Sequence, residues 1–380
     1  MAAGIYVHIP FCRKKCLYCD FASGVADEQR MLQYHKALLF EITHTDMKKE
    51  SADSLFFGGG TPSIYPVSFM EELISALKPF LHKESTEITL EANPGTLTYE
   101  NLQKYQSMGF GRLSMGLQSA DNEELKTLGR IHTYEAFEQS FNLARKAGFT
   151  NINVDIISAV PGQTFESFQT TLRRVQELNP EHISAYSLIV EEGTPFYEKY
   201  GEGKPYENLL PDEETDRLMY HYTGEFLKSK GYDRYEISNY ARPGFECRHN
   251  LKYWSMEEYY GFGLSAASKT GNKRYVNTSD MECYCMLPVH GRIADIRAEE
   301  HIQTERDEME EFMFLGLRKM NGISSEGFTK RFGVSCRQVY GSVIDRFVTE
   351  GLLEESGEGL RLTEKGIDVS NVVFSEFIFG

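Results

Sequence analysis

The sequence predicts an α/β chain. An incomplete parallel (β/α)6 barrel occupies residues 1–203, a smaller α+β region 204–300, and a winged-helix-like end 301–380. Three observations carry this. Short β-rich runs, "GIYVHIP", "SLFFGG", "EITLEAN", "RLSMGLQ", "NVDIIS" and "HISAYSLI", alternate with amphipathic segments such as Gln29 to Lys49, the rhythm of βα units that build a parallel sheet. The Gly- and Pro-rich stretch "EEGTPFYEKYGEGKPYENLLPD" breaks that rhythm and sets a boundary near Gly203. The last eighty residues read as three helices and a hairpin turning at Ser356 to Gly359.

Right-handed crossovers bring the C-terminal ends of all the barrel strands to one rim, where α/β folds carry their sites. The second region opens with a helix from Asp212 to Lys230 and continues through the strand-like "YDRYEIS" into aromatic, glycine-dotted loops. The third contains the helical stretches "SSEGFTKRFG" and "SCRQVYGSVIDRFVTEG" before the hairpin strands of "LLEESGEGLRLTEKG". No repeat beyond the βα unit and no low-complexity segment is present.

Composition narrows the function classes. Apolar residues at 41% and charged residues at 25% are those of a globular protein, and 380 residues suffice for two or three domains. No run of eighteen apolar residues exists, and "MAAGIYVHIP" lacks the basic and apolar regions of a signal peptide, so a cytosolic protein without a transmembrane segment is expected. The net charge of −16 repels phosphate backbones, and residues 301–380 carry nine Lys/Arg against fourteen Asp/Glu, so the winged-helix-like end is not expected to read nucleic acid.

Seven cysteines are present, three of them within "CRKKCLYC": Cys12, Cys16 and Cys19. In a reducing compartment such a group holds metal or does redox work more readily than it forms disulfides. Zinc normally takes four ligands, commonly from two C-x-x-C knuckles, and no second knuckle appears. Three thiolates on one loop can instead hold three irons of a [4Fe-4S] cube, leaving the fourth iron open. The dispersed Cys247, Cys283, Cys285 and Cys336 read as inert.

Polar features recur along the expected rim. "FFGGGTPS" follows the second strand, and its glycines serve either a close backbone approach to a ligand or a tight turn. Glu91 ends the third strand, Gln118 the fourth, Arg130 and His132 follow in "LGRIH", and Asp155 lies within the fifth. Singly, Glu91 or Asp155 could be a satisfied structural carboxylate. Together they surround the cysteine loop with groups that are costly to bury without a partner.

The three-cysteine motif C-x-x-x-C-x-Y-C, followed by "GGGTP", resembles the radical S-adenosylmethionine (radical SAM) superfamily. "YVHIPFC", "EANPGT", "MGLQS", "LGRIH" and "VPGQT" are similar to the branch that contains oxygen-independent coproporphyrinogen III oxidase and the haem chaperone HemW. The likeness covers nearly the whole chain. It implies that the open iron chelates the methionine moiety of S-adenosylmethionine (SAM), which the reduced cluster can cleave to a 5′-deoxyadenosyl radical. By resemblance, Tyr6 and Tyr18 would lie against cluster and adenine, and Gly59, Gly60 and Thr61 would meet the methionine amino group. Glu91 would bond the ribose or amino end, Arg130 would pair with the carboxylate, and Gln118 and Asp155 would hold the ribose. Tyr186 and Leu188 would offer backbone contacts to adenine.

Two features separate the members of that branch. The oxidases carry a further cysteine two residues after the third, a position held here by Phe21, as in HemW. "CRHNLKYW" matches the H-N-x-x-Y-W pattern of HemW proteins, and an imidazole on a glycine-flanked loop among aromatic rings could ligate haem iron. His249, Tyr253 and Trp254 are accordingly expected to contact haem, with Cys247 a rival axial ligand. The expected function is a carrier that binds haem as cargo and hands it to apo-haemoproteins, including membrane-bound respiratory enzymes. The alternatives are an oxidase decarboxylating coproporphyrinogen III and a zinc-stabilised regulatory protein.

Overall fold

The structure, a computed structural model, describes residues 2–82 and 86–378. Residue 1 and residues 379–380, the outer ends of the first and last expected units, lie outside the described residues.

Six parallel strands form the first half: β1 (Ala3–Ile9), β2 (Ala52–Gly59), β3 (Glu87–Ala92), β4 (Arg112–Gln118), β5 (Ile152–Ser158) and β6 (His182–Ser187). They are the six runs read from the sequence. They pair in chain order, as right-handed βα units do. The crossover helices begin and end on local signals. Asp27 caps Glu28–His44 by accepting from Arg30 N–H, and Thr98 caps Tyr99–Met108, which stops at Gly109 with φ 101°.

Alternation along the strands explains the barrel. In β1, Ile5, Val7 and Ile9 are fully buried against the helices, while Tyr6 and His8 point to the other face. The same alternation in β3, β4 and β5 turns Glu91, Arg112, Ser114, Asn153 and Asp155 inward. Register then stacks them: Glu91 lies beside Ser114, and Asp155 lies beside both Gly116 and Ser184. The lumen is thus lined with polar side chains, where a structural barrel packs branched apolar layers.

The sheet continues past residue 203. β7 (Asp233–Arg234) and β8 (Asn239–Ala241) extend it beyond β6, and β9 (Tyr259–Phe262), β10 (Ala267–Thr270), β11 (Lys273–Asn277) and β12 (Arg297–Ile302) extend it beyond β1. β9 pairs parallel to β1, and the sheet reaches twelve strands. One apolar core runs from Ile5 to Ile296. The stretch after Trp254 that reads as glycine-dotted loops is therefore largely strand. Gly261 is demanded by contact, since a Cβ there would lie 2.0 Å from Ala267 O.

The helix expected from Asp212 to Lys230 is Glu213–Ser229, flanked by those two residues as its caps. A second core, from Met313 to Phe377, belongs to helices Glu305–Gly316, Ser325–Phe332 and Cys336–Thr349 and a three-stranded sheet containing the hairpin Leu353–Glu355 and Gly359–Leu362. No helix among the described residues is long and apolar enough to cross a membrane.

Candidate functional site

The cysteine loop closes over the strand C-termini. Cys12 N–H donates to Gly24 O at 2.9 Å, and Leu17 N–H donates to Leu128 O at 3.2 Å, fastening the loop at two points. All three thiols are free and partly exposed. Burial raises the Cys19 thiol, with smaller contributions from the neighbouring Cys16 and Cys12. Among the described residues no three His, Cys, Asp or Glu side chains converge on a single ion.

Two side chains approach these sulfurs. Thr61 Oγ1 lies 3.6 Å from Cys12 Sγ, and Arg130 Nη1 lies 3.3 Å from Cys16 Sγ. Arg130 Nη2 also donates to Asn93 Oδ1 at 2.7 Å and to Gly116 O at 2.6 Å, fixing the guanidinium in one plane. Gln118 ends β4 with φ 77°, in the left-handed region that a non-glycine residue rarely adopts, where the register between β4 and β5 shifts.

The glycine run answers to protein contacts first. At Gly59 (φ 110°) a Cβ would sit 2.5 Å from the His8 ring, and at Gly60 it would meet Phe11 O at 2.6 Å. The backbone therefore presses against the cysteine loop, and close packing alone explains the absence of side chains. Gly59 N–H donates to Glu91 Oε2 at 3.1 Å.

Below the rim the lumen encloses about 180 Å³. Burial, then repulsion from Asp155, pushes the Glu91 carboxyl up to about 8. Burial also raises Asp155, although it accepts from Asn153 Nδ2 at 2.7 Å and Ser114 Oγ at 3.3 Å. Two such carboxyls favour a cation between or above them. The amino and sulfonium groups of SAM are of that kind, so the residues present fit both groups. Tyr18 lies near Arg130 and meets Phe196 edge-on. Tyr6 stacks on Phe56 with its hydroxyl 3.0 Å from His8 Nδ1. Tyr186 lines the lumen, and Leu188 N–H is taken by Ser158 O. His132, held near 4 by burial and Arg130, contacts Leu117 O at 3.1 Å and is a neutral brace.

The residues expected to contact haem lie at and below the barrel floor. His249 lies not on an open loop but on helix Arg248–Trp254, 2% exposed at the barrel floor. Ser54 Oγ sits 2.9 Å from its Nδ1 and Tyr253 Oη 2.8 Å from its Nε2, so both ring nitrogens have hydroxyl partners, and the ring lines the lumen. Burial, then Lys252 and Arg112, lowers it to about 3. Cys247 is fully buried, its thiol pushed up to about 12 by burial, and Trp254 packs against Arg318 instead of an open pocket. Sequence reasoning missed Asn93, which orients Arg130, and Arg112, a buried cation in the lumen. A charge at the head of the apolar strand "RLSMGLQ" was the available signal for the latter.

The Radical SAM superfamily model matches residues 6–175, and the HemN C-terminal domain model matches residues 303–369. A protein named heme chaperone HemW from Lactococcus lactis is 36% identical over 375 residues, covering 98% of this chain and 96% of that one. The chain belongs to the HemW family. The protein of the same name from Bacillus subtilis is 35% identical over 98% of both chains, and the one from Escherichia coli is 32% identical over 95% of this chain and 94% of its own. The solved structure of coproporphyrinogen III oxidase (HemN) from Escherichia coli, described as a radical SAM enzyme, superposes with a TM-score of 0.85. It is 25% identical, over 99% of this chain and 90% of the other. HemW proteins and that oxidase thus share one architecture with this chain, and the site residues are what can separate the two activities.

Proposed function

We propose that the protein binds haem and hands it to apo-haemoproteins, with a [4Fe-4S] cluster on Cys12, Cys16 and Cys19 and SAM at the barrel rim. When bound, the cluster supplies one electron and an open iron to SAM. Arg130, held by Asn93 and Gly116, would meet the SAM carboxylate, and Glu91 and Asp155 would face its cationic and ribose groups. Respiratory enzymes at the membrane are the proposed recipients.

The observation that carries the carrier reading over the oxidase is the small volume of the lumen. His249 and Tyr253 form its floor, and about 180 Å³ remains, below the roughly 300–1,000 Å³ of sites that enclose organic ligands. A tetrapyrrole does not fit there. Phe21 agrees with this, since the extra thiol of the oxidases is absent. The test is parallel incubation of reconstituted protein with haem, and with coproporphyrinogen III plus SAM and a reductant. Haem binding without decarboxylation supports the carrier; SAM consumption with formation of protoporphyrinogen IX establishes the oxidase.

A further inference from the structure

Phe21 is 61% exposed and Val25 71%, large apolar side chains presented to solvent immediately after the cysteine loop. They line a groove of about 810 Å³ outside the barrel, together with Leu264 and Met281. Two cations, Lys15 and Arg30, line it together with two carboxylates, Asp20 and Glu282. Lys15 Nζ donates to a backbone carbonyl, Phe21 O, at 2.9 Å. Arg30 pairs with Glu282, an exposed partner that an incoming carboxylate can replace. Building on the haem-carrier reading, we infer that this groove holds the haem, with its face on Phe21 and Val25 and its two propionates on Lys15 and Arg30.

Chemistry and size agree. A flat apolar ring with two carboxylates on one edge needs an open apolar slot with separated cations, and the volume lies within the range of cofactor sites. Met281 supplies a thioether to the wall, a ligand type that haem iron accepts, and Cys285 Sγ lies 3.8 Å from its Sδ. The groove also touches the cluster loop through the backbone. Gly24 lines it, donates N–H to Pro10 O at 2.9 Å and accepts from Cys12 N–H at 2.9 Å. Occupancy of the groove and the geometry of the cysteine loop are thereby linked. The residue that replaces the oxidases' extra thiol becomes a contact for the cargo.

The test titrates the full-length, cluster-reconstituted protein with haemin and with iron-free protoporphyrin IX, followed by absorbance and protein fluorescence. Phe21→Glu and Lys15→Glu, both at exposed positions, should retain cluster iron and thermal stability. Each should weaken both ligands about tenfold or more, because each sets a carboxylate against the porphyrin or its propionates. Met281→Leu should shift the haemin Soret band while leaving the affinity for the iron-free ring unchanged. If the wild type binds haemin and both charge variants bind it equally well, the groove is not the site, although the carrier reading stands. If the wild type binds neither ligand, the carrier reading itself falls, and the groove assignment with it. A Soret band unchanged in Met281→Leu overturns Met281 as ligand.

Discussion

Arg130 Nη1 lies 3.3 Å from Cys16 Sγ while its other terminal nitrogen is shared between Asn93 Oδ1 and Gly116 O. The guanidinium is therefore oriented by neutral acceptors and keeps its charge available beside the cysteine loop. No carboxylate among the described residues pairs with it.

This arrangement predicts a division between cluster and ligand. Arg130→Ala should weaken SAM binding about ten- to a hundredfold, the loss of a charge-assisted pair of roughly 1.5–3 kcal/mol. Iron and sulfide content should persist, whereas Cys12→Ala, Cys16→Ala or Cys19→Ala should each remove the broad visible absorption of the reconstituted protein. Calorimetry with SAM and iron analysis separate the two outcomes, and unchanged SAM affinity removes Arg130 from the site.

Glu91 predicts a pH dependence with a definite sign. Its carboxyl, held near 8 by burial and Asp155 against an ordinary value of 4.5, binds its proton more tightly in the folded than in the unfolded chain. That contribution is full below pH 4.5 and is lost as pH rises through about 8, to the extent of a few kcal/mol. Glu91→Gln should flatten the fall in stability across this window, measured by denaturant unfolding at several pH values. A cationic ligand beside Glu91 favours the carboxylate, so SAM binding at pH 7 should release protons. Calorimetry in two buffers of different ionisation enthalpy would detect this, and the release should vanish in the Gln variant.

His249 predicts a stability effect in place of a spectral one. Replacing it by Ala strands the buried hydroxyls of Ser54 and Tyr253 and opens a cavity at the barrel floor, a cost of about 2–4 kcal/mol. The melting temperature should fall by several degrees, while the haem spectrum of protein still folded stays unchanged. A Soret shift in His249→Ala would restore the histidine as ligand.

Arg318 joins two parts of the chain. Its guanidinium lies 5.0 Å from the Trp254 ring and 5.2 Å from the Phe374 ring, bridging the end of the HNxxYW stretch to the second core. Arg318→Ala should weaken that junction by about 1–2 kcal/mol. Calorimetric unfolding should then separate toward two transitions; a single unshifted transition would show that the junction does not depend on this residue.

The barrel was legible because its strands carry their own period. Apolar residues alternate with Tyr6, Glu91 and Asp155, and each strand stops at a turn signal. The strands after Trp254 were hidden because β9, β10 and β11 are short, and β9, which carries Gly261, gains its pairing from β1, more than 250 residues earlier in the chain. The cysteine loop and Arg130 could be read from local motifs. His249 could not be placed, since what buries it beyond its own helix, Gly4 on β1 and Ser54 on β2, comes from two strands far earlier in the chain. Phe21 was read from the sequence as marking a missing thiol. Its exposure is a property of the folded groove that no local pattern encodes.

The central claim is that haem is cargo and not a precursor made here. The direct measurement is to load the cluster-reconstituted protein with haem, remove the excess, mix it with an apo-haemoprotein and follow the Soret band of both. The account predicts that haem moves to the acceptor stoichiometrically, with the donor returning to its haem-free spectrum. Haem that stays on the donor while coproporphyrinogen III is decarboxylated in the presence of SAM and reductant would contradict it.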